Sequence, residues 1–507
     1  MDHANKKSDR PPYGILTVLM IGAFISFLNN TLLNIALPTI MNDLEIGPST
    51  AQWLTTGFML VNGILIPTSA FLIQKFSVRQ IFLAAMTLFT LGTLLAGIAH
   101  IFPILLAGRM LQAAGSAILM PLLMNVMLVS FPIEKRGTAM GVFGLILMFA
   151  PAIGPTLSGW IVEHHSWRML FHFISPIAIV VLVLGFFLLK DKKDKVDLRL
   201  DFVSLLLSSI GFGGILYGFS SAGSKGWDSP LVYLTIAVGI ISLIVFILRQ
   251  NKHEEPLLNF GVYRYPMFAL ASAISMALNM ALFSGMMLLP IYVQNIRGIS
   301  PMDAGLLLLP GALLMSIMSP LTGRLFDKFG GRILAIVGLS IVAVTTYFFS
   351  QLQLDTTYNH LLILYSVRSV GISMVMMPVS TNGLNQLPRR LYPHGTAMNN
   401  TLNQVAGAIG TALLVTIMST HTASQAKVLG AQAMQKMTEQ PTQAALAEMQ
   451  QQIMMQATLD GINYAFLVAT FLSVVALILA FFIKRATPME EIQPSNKRVV
   501  NKVATEN

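Results

Sequence analysis

Hydrophobic positions in this chain come in long runs. Fourteen runs of 19 residues or more are separated by shorter polar segments: 14–37, 51–73, 80–99, 104–130, 137–161, 168–189, 201–222, 229–249, 267–293, 302–322, 333–351, 360–386, 395–420 and 461–484. About 20 helical residues cross a hydrocarbon core roughly 30 Å thick. Inside hydrocarbon every backbone amide and carbonyl must bond within its own segment, so each run predicts a transmembrane helix. The expected fold is an all-α polytopic membrane protein. Residues 421–459, between the last two runs, are rich in Ala, Gln and Met with Pro441 near the middle. Their helix propensity suits a short helical hairpin, and their polarity suits a flexible insertion equally.

The pattern also repeats. Pro67 through Lys75 to Arg79, Arg109 to Pro121, Gly137-Thr-Ala-Met140 and Ala152-Ile-Gly154 return about 255 residues later. Their second copies are Pro320 through Lys328 to Arg332, Arg368 to Pro378, Gly395-Thr-Ala-Met398 and Ala408-Ile-Gly410. Two six-helix bundles follow from this, over 14–189 and 267–484. Between them, 190–266 holds a mixed-charge linker and an inserted helix pair, the seventh and eighth, with no echo in either half. Residues 1–13 and 485–507 are tails. Parallel repeats in a membrane protein place a substrate path at their interface.

Composition agrees with the pattern: 54% of residues are hydrophobic and 11% charged, against about 25% charged in soluble domains. With the N-terminus in the cytoplasm, 25 of the 32 Lys and Arg fall in cytoplasmic segments. Five fall outside (Arg168, Lys225, Arg297, Lys427, Lys436), and Arg109 and Arg368 lie within spans. The positive-inside rule then puts both termini in the cytoplasm. The net charge of +10 reflects topology and contact with the lipid bilayer's anionic inner leaflet. Because the basic residues are scattered over eight cytoplasmic segments, nucleic acid is not an expected partner. There are no cysteines, which excludes thiol chemistry.

Four stretches carry a family resemblance. Ala70 to Arg79 and Gly323 to Arg332 resemble the loop signature between the second and third helices of each half in the major facilitator superfamily. Arg109 with Gln112 and Gly115 resembles its fourth-helix arginine motif. Gly141 to Gly159, with Pro151, Gly154 and Pro155, resembles its fifth-helix antiporter motif. Together with fourteen helices, the chain resembles the drug:proton antiporter branch and its lincomycin-type multidrug exporters. The resemblance implies secondary active export of amphiphilic compounds, lincosamide-type antibiotics among them, by proton-coupled alternating access. It also implies a monomer in a bacterial plasma membrane, with no enzymatic activity, cofactor or metal.

Residue chemistry gives each motif a role. Gly323, Arg324, Asp327, Lys328 and Arg332 place a carboxylate among cations at a helix end, a candidate latch between helices; Lys75 and Arg79 stand in the first copy, where Gln74 replaces Asp327. The uncharged copy is expected to hold more weakly. Gly141, Gly144, Gly154 and Gly159 suit close helix contact, while Pro151 and Pro155 interrupt backbone bonding and bend the helix. Thr411 stands at the repeat position of Pro155, confining that motif to the first half. Arg109, inside a helix, needs a partner or water, since a central cation costs about 2.5–3.5 kcal/mol on insertion scales. Many members of the family carry an acid where this chain has Asn29 or Asn30, and asparagine cannot carry a proton at ordinary pH. Glu163 and Asp303, at helix ends, are the remaining proton-coupling candidates beside Arg109. Substrate contacts are expected from Asn29, Asn30, Asn34, Trp53, Asn279, Phe283, Met287, Asn399 and Asn403, polar groups in an apolar, methionine-rich surround. The acid-poor core equally suits a dedicated exporter of a lipid or an endogenous metabolite. A membrane enzyme or receptor is the remote alternative, because His164-His165 form no H-E-x-x-H pattern; no phosphate-binding G-x-x-x-x-G-K-[ST] loop exists either.

Overall fold

The computed structural model describes residues 13–46, 48–51, 53–189, 201–253, 256–299, 301–435 and 443–485, with some side chains inside helices left out. Among these residues fourteen long helices and one four-residue helix account for nearly all regular structure. In the first half they are α1 (Tyr13–Asp43), the short α2 (Pro48–Ala51), α3 (Trp53–Lys75), α4 (Val78–Gly97), α5 (Phe102–Ser130), α6 (Ile133–His164) and α7 (Met169–Leu188). The inserted pair is α8 (Phe202–Lys225) and α9 (Pro230–Gln250). The second half comprises α10 (Pro266–Ile291), α11 (Pro301–Phe329), α12 (Gly331–Phe349), α13 (Tyr358–Asn385), α14 (Tyr392–Gln435) and α15 (Gln443–Ala480). Twelve of the described helices are long and apolar enough to cross a membrane; α10 adds a shorter apolar stretch, Pro266–Leu282.

The segment 421–459 resolves the choice left open by its composition. Its described residues, 421–435 and 443–459, are helical on both sides of Pro441 and continue α14 and α15, over 44 and 38 residues. His421 stacks on Tyr464 with ring centroids 4.3 Å apart, and Gly461 lies against Thr422, so the two helices stay paired beyond the apolar core. Residues 436–442, with Pro441, are outside the described residues, as are 1–12, the 190–200 linker and the chain after 485.

Each half repeats one packing scheme. In the first, α5 lies against α3 and α4 while α1 packs on α5, α6 and α7; in the second, α13 lies against α11 and α12 while α10 packs on α13, α14 and α15. The halves join along two seams, α6 against α11 and α3 against α14. Helix α8 covers the second seam, touching both α3 and α14, and α9 packs on α8. Lipid-facing side chains of α9 such as Val238, Ile241 and Leu248 remain exposed.

The α6–α11 seam depends on missing side chains. A Cβ on Gly141 would stand 2.5 Å from the Ser319 carbonyl oxygen, and one on Gly323 would stand 2.3 Å from the Gly137 carbonyl oxygen. Ser319 Oγ instead donates to the Gly141 carbonyl at 2.8 Å. Farther along α6, Gly154 meets Thr31 of α1, whereas Gly159 has open space around it; the motif's last glycine is therefore free of the close contact expected of it. Pro151 and Pro155 stand inside α6, but their side chains, and the bend expected of them, fall outside the described residues.

The inserted pair is clasped at the end that charge assigns to the cytoplasm. Asp201 caps α8 and pairs with Arg249 of α9 at 2.9 Å. Burial would raise the Asp201 carboxyl, yet hydrogen bonds from Arg249 and Ser204 outweigh it and hold the group well below the ordinary carboxylate range.

Two outcomes follow. Gly141→Val should destabilise the protein by about 1–3 kcal/mol through overpacking, while Gly159→Ala stays within about 0.5 kcal/mol, both read by thermal unfolding in detergent. Because a carboxyl with a lowered folded pKa stabilises above its unfolded value, Asp201→Asn should lower the unfolding midpoint equally from pH 8 to 5. That deficit should shrink as the pH falls below about 4.

Candidate functional site

Within the first half, three helices bring a polar cluster into the apolar interior. Asn29 and Asn30 are adjacent on α1, Arg109 lies in the second turn of α5, and Gln112 follows it by one turn. Arg109 is 1% exposed. Its Nη1 donates to Gln112 Oε1 and its Nη2 to Asn30 Oδ1, each at 3.0 Å. The guanidinium also lies 4.4 Å from the ring centroid of Phe58 on α3. Gln112 in turn accepts from Asn29 Nδ2 at 3.0 Å and donates to Thr93 Oγ1 at 2.9 Å. Every partner is neutral, and Arg109 Nε is buried with no hydrogen-bond acceptor among the described residues. Asn34 sits one turn beyond Asn30 on α1, its side chain outside the described residues.

Arg368 occupies the matching place on α13, 2% exposed, but its surroundings differ. Its Nη2 donates to the Ala281 carbonyl of α10 at 2.8 Å and its Nε to Thr346 Oγ1 at 3.2 Å. A Cβ on Gly285 would overlap Nη1, so the missing side chain on α10 makes room for the guanidinium where α1 offers amides to Arg109.

Other amides meet in the second half. Asn279 Nδ2 of α10 donates to Asn403 Oδ1 of α14 at 3.1 Å, and Asn399 Nδ2 donates to Ser380 Oγ of α13 at 3.0 Å. The side chains of Phe283 and Met287 on α10 lie outside the described residues. Trp53 is apart from all of these: at the start of α3, 37% exposed, it faces Tyr217 of α8 across 5.7 Å. Glu163 is exposed in the last turn of α6. Arg168, its sequence neighbour, pairs instead with Asp43 at 2.9 Å, and Trp167 Nε1 joins the same carboxylate at 3.0 Å. Asp303 is exposed in the first turn of α11, its carbonyl accepting from the Tyr358 hydroxyl at 3.1 Å. Neither acid joins the Arg109 cluster.

At the end that charge assigns to the cytoplasm, three side-chain contacts among the described residues fasten the two halves. Asp327 of α11 accepts from the backbone amides of Gly137 and Thr138 on α6, at 2.8 Å each, and from the Thr138 hydroxyl. Its charge thus faces the amino-terminal end of a helix, where the helix dipole favours an anion. Arg324, Lys328 and Arg332 are exposed, and no ion pair joins them to Asp327 among the described residues, so the carboxylate latches to backbone rather than to those cations. Second, Arg136 Nη1 of α6 donates to Asn385 Oδ1 of α13 at 3.0 Å, with its guanidinium 5.0 Å from the Tyr392 ring. Third, Gln74 of α3 contacts His394 Nε2 of α14 at 3.1 Å. Lys75 lies over the Phe71 ring at 5.4 Å, and Arg79 donates to the Phe186 carbonyl at 3.1 Å within its own half.

These contacts are related by the repeat. Gln74 stands at the position of Asp327, and His394 precedes Gly395-Thr396 as Arg136 precedes Gly137-Thr138. Arg136, Asn385, Tyr392 and His394 were not among the sequence candidates; reading the repeat one residue earlier points to Arg136 and His394. Nothing local marks Asn385 or Tyr392, which follow from the packing of α13 and α14.

A profile of the Major Facilitator Superfamily matches residues 19–411. The MFS-type transporter YhcA of Bacillus subtilis is 51% identical over 422 residues, 83% of this chain and 79% of that one. The lincomycin resistance protein LmrB of the same organism is 43% identical over 473 residues, 93% of this chain and 95% of that one. Among solved structures, the human organic anion transporter MFSD10 superposes with a TM-score of 0.63 at 14% identity, over 93% of this chain and 99% of that chain.

If the Asp327 contact is a latch, Asp327→Asn should cost about 1.5–3 kcal/mol of unfolding free energy, as for hydrogen bonds to a charged group. A cycle with Thr138→Val should show coupling above about 0.5 kcal/mol; additive losses would show that the two residues act separately.

Proposed function

Because this chain belongs to the major facilitator superfamily, we propose that it is a secondary exporter of amphiphilic drugs, lincosamide-type antibiotics among them, working by alternating access in exchange for protons. What carries this reading is the 43% identity to a lincomycin resistance protein across 93% of the chain. The geometry supports it: two repeat-related halves meet along α6–α11 and α3–α14, and the contacts of Asp327, Arg136 and Gln74 across them gather at one end. A protein fastened at one end and divided into two bundles can expose a central site to either side in turn. On this reading the chain is a transporter without enzymatic activity, a monomer in the bacterial plasma membrane with both termini in the cytoplasm.

Coupling to protons has few acidic groups available. Asp or Glu near the ends of the spans include Asp43, Glu45, Glu134, Glu163, Asp201, Asp228, Asp303, Asp327, Asp355 and Asp460, and among the described residues none touches Arg109. Glu163 or Asp303, both exposed, would take up a proton at the far end and pass its effect through α6 or α11, the two helices of the main seam. A proton moving down 100 mV yields about 2.3 kcal/mol, enough for roughly a fiftyfold gradient of a neutral drug.

In proteoliposomes with separately imposed pH and voltage gradients, a pH gradient alone should drive lincomycin or ethidium accumulation. Glu163→Gln or Asp303→Asn should reduce that pH-driven component about tenfold or more. Transport indifferent to the pH gradient would remove proton exchange, and full activity in both variants would remove these two acids as carriers.

A further inference from the structure

Among the described residues, the charge on Arg109 has no counter-ion. The spans that surround it contain only neutral polar groups: Asn29, Asn30 and Asn34 on α1, Thr93 on α4, Gln112 on α5. No carboxylate pairs with it among the described residues; the acidic partners of the described ion pairs are Asp43 and Asp201. Its three bonded or facing neighbours, Gln112, Asn30 and Phe58, soften the cost of burial without cancelling the charge, and Nε is left with no acceptor. A guanidinium kept fully charged in a medium of low dielectric attracts an anion far more strongly than it would in water.

Gln112 and Asn29 are buried, while Asn30, which holds Nη2, is partly exposed. Rotation of that single amide would uncover the Nη2 edge of the guanidinium. The partner that then fits is a planar oxyanion: a carboxylate can take two parallel N–H donors, where the Asn30 amide takes one. A neutral or cationic head would gain nothing from this geometry, and a cation would be repelled.

We propose that Arg109 is the counter-ion site for an anionic head group, so that the amphiphiles this transporter takes include acidic ones, a lipophilic carboxylate being the simplest. This rests on the export reading for its physiological sense, but binding alone tests it. In the bound state the carboxylate replaces the Asn30 amide oxygen on Arg109 Nη2, and its second oxygen lies toward Nε or Nη1.

Calorimetric titration of the full-length protein in detergent would compare dodecanoate with dodecanamide, its uncharged equivalent, in chloride-free and chloride buffers. Wild type should bind dodecanoate at least about tenfold more tightly, as expected for a charge-assisted pair. Arg109→Gln should abolish the preference. Should that variant fail to fold, Asn30→Asp serves instead: it supplies the missing carboxylate from α1, and it too should erase the preference while retaining the fold. Equal binding of the two ligands by wild type, a preference that persists in Asn30→Asp, or saturation of the site by chloride with no response to dodecanoate would each overturn the proposal. Export of ethidium under a pH gradient together with equal binding would leave the exporter standing and remove this inference. Preferential dodecanoate binding without any pH-driven transport would do the reverse.

Discussion

Gly141 of α6 and Gly323 of α11 bring two helices so close that a methyl group on either would overlap the other's backbone. This contact sets the geometry of the rest. Lipid offers helices little hydrophobic reason to associate, so close backbone approach through small residues is what brings them together. Here the approach joins the two halves of the molecule. It also brings Asp327 within reach of the Gly137 and Thr138 amides at the amino-terminal end of α6, one turn from the glycine contact. Packing and electrostatics thus act at the same place.

The second seam shows what changes when the charge is removed. Gln74 takes the place of Asp327 and meets His394 rather than a pair of helix amides. That contact exchanges a charge on a helix terminus for a neutral side-chain pair. The inserted α8 lies along this seam, against both α3 and α14, and Trp227 at its far end bonds to Thr416 of α14. One seam is covered by an extra helix and carries a neutral contact, while the other rests on bare glycines and a carboxylate, so the two seams are unequal in chemistry.

Much of this was legible in the sequence because hydrophobic length and the internal repeat report on topology directly. The helices follow from run lengths, and matching Gly323–Arg332 with Ala70–Arg79 points to two related halves. What the sequence did not disclose was the partner of each group. Asp327 stands among Arg324, Lys328 and Arg332 in the chain, yet it faces backbone amides nearly 190 residues away. Arg168 stands five residues from Glu163 and pairs with Asp43. Partners are fixed by helix packing, and a one-dimensional pattern carries no record of which faces meet. The continuation of α14 and α15 past the apolar core was likewise open, since the composition of 421–459 suits a helix or a loop and only the pairing of His421 with Tyr464 and of Gly461 with Thr422 decides.

On the export reading we propose, the halves pivot about the α6–α11 contact while the clasps at the Asp327 end open and close. Because the chain has no cysteine of its own, spin labels can be placed without background. One pair, Phe76→Cys with Arg389→Cys, would report the cytoplasmic ends of the two halves; another, Ile101→Cys with Gln351→Cys, the opposite ends. Distances measured by electron–electron resonance in nanodiscs at about pH 8 and about pH 5.5, with and without drug, should move in opposite directions, the first lengthening as the second shortens. If both distances stay fixed, or if the cytoplasmic pair separates while the other pair does not move, the halves do not rock about this seam.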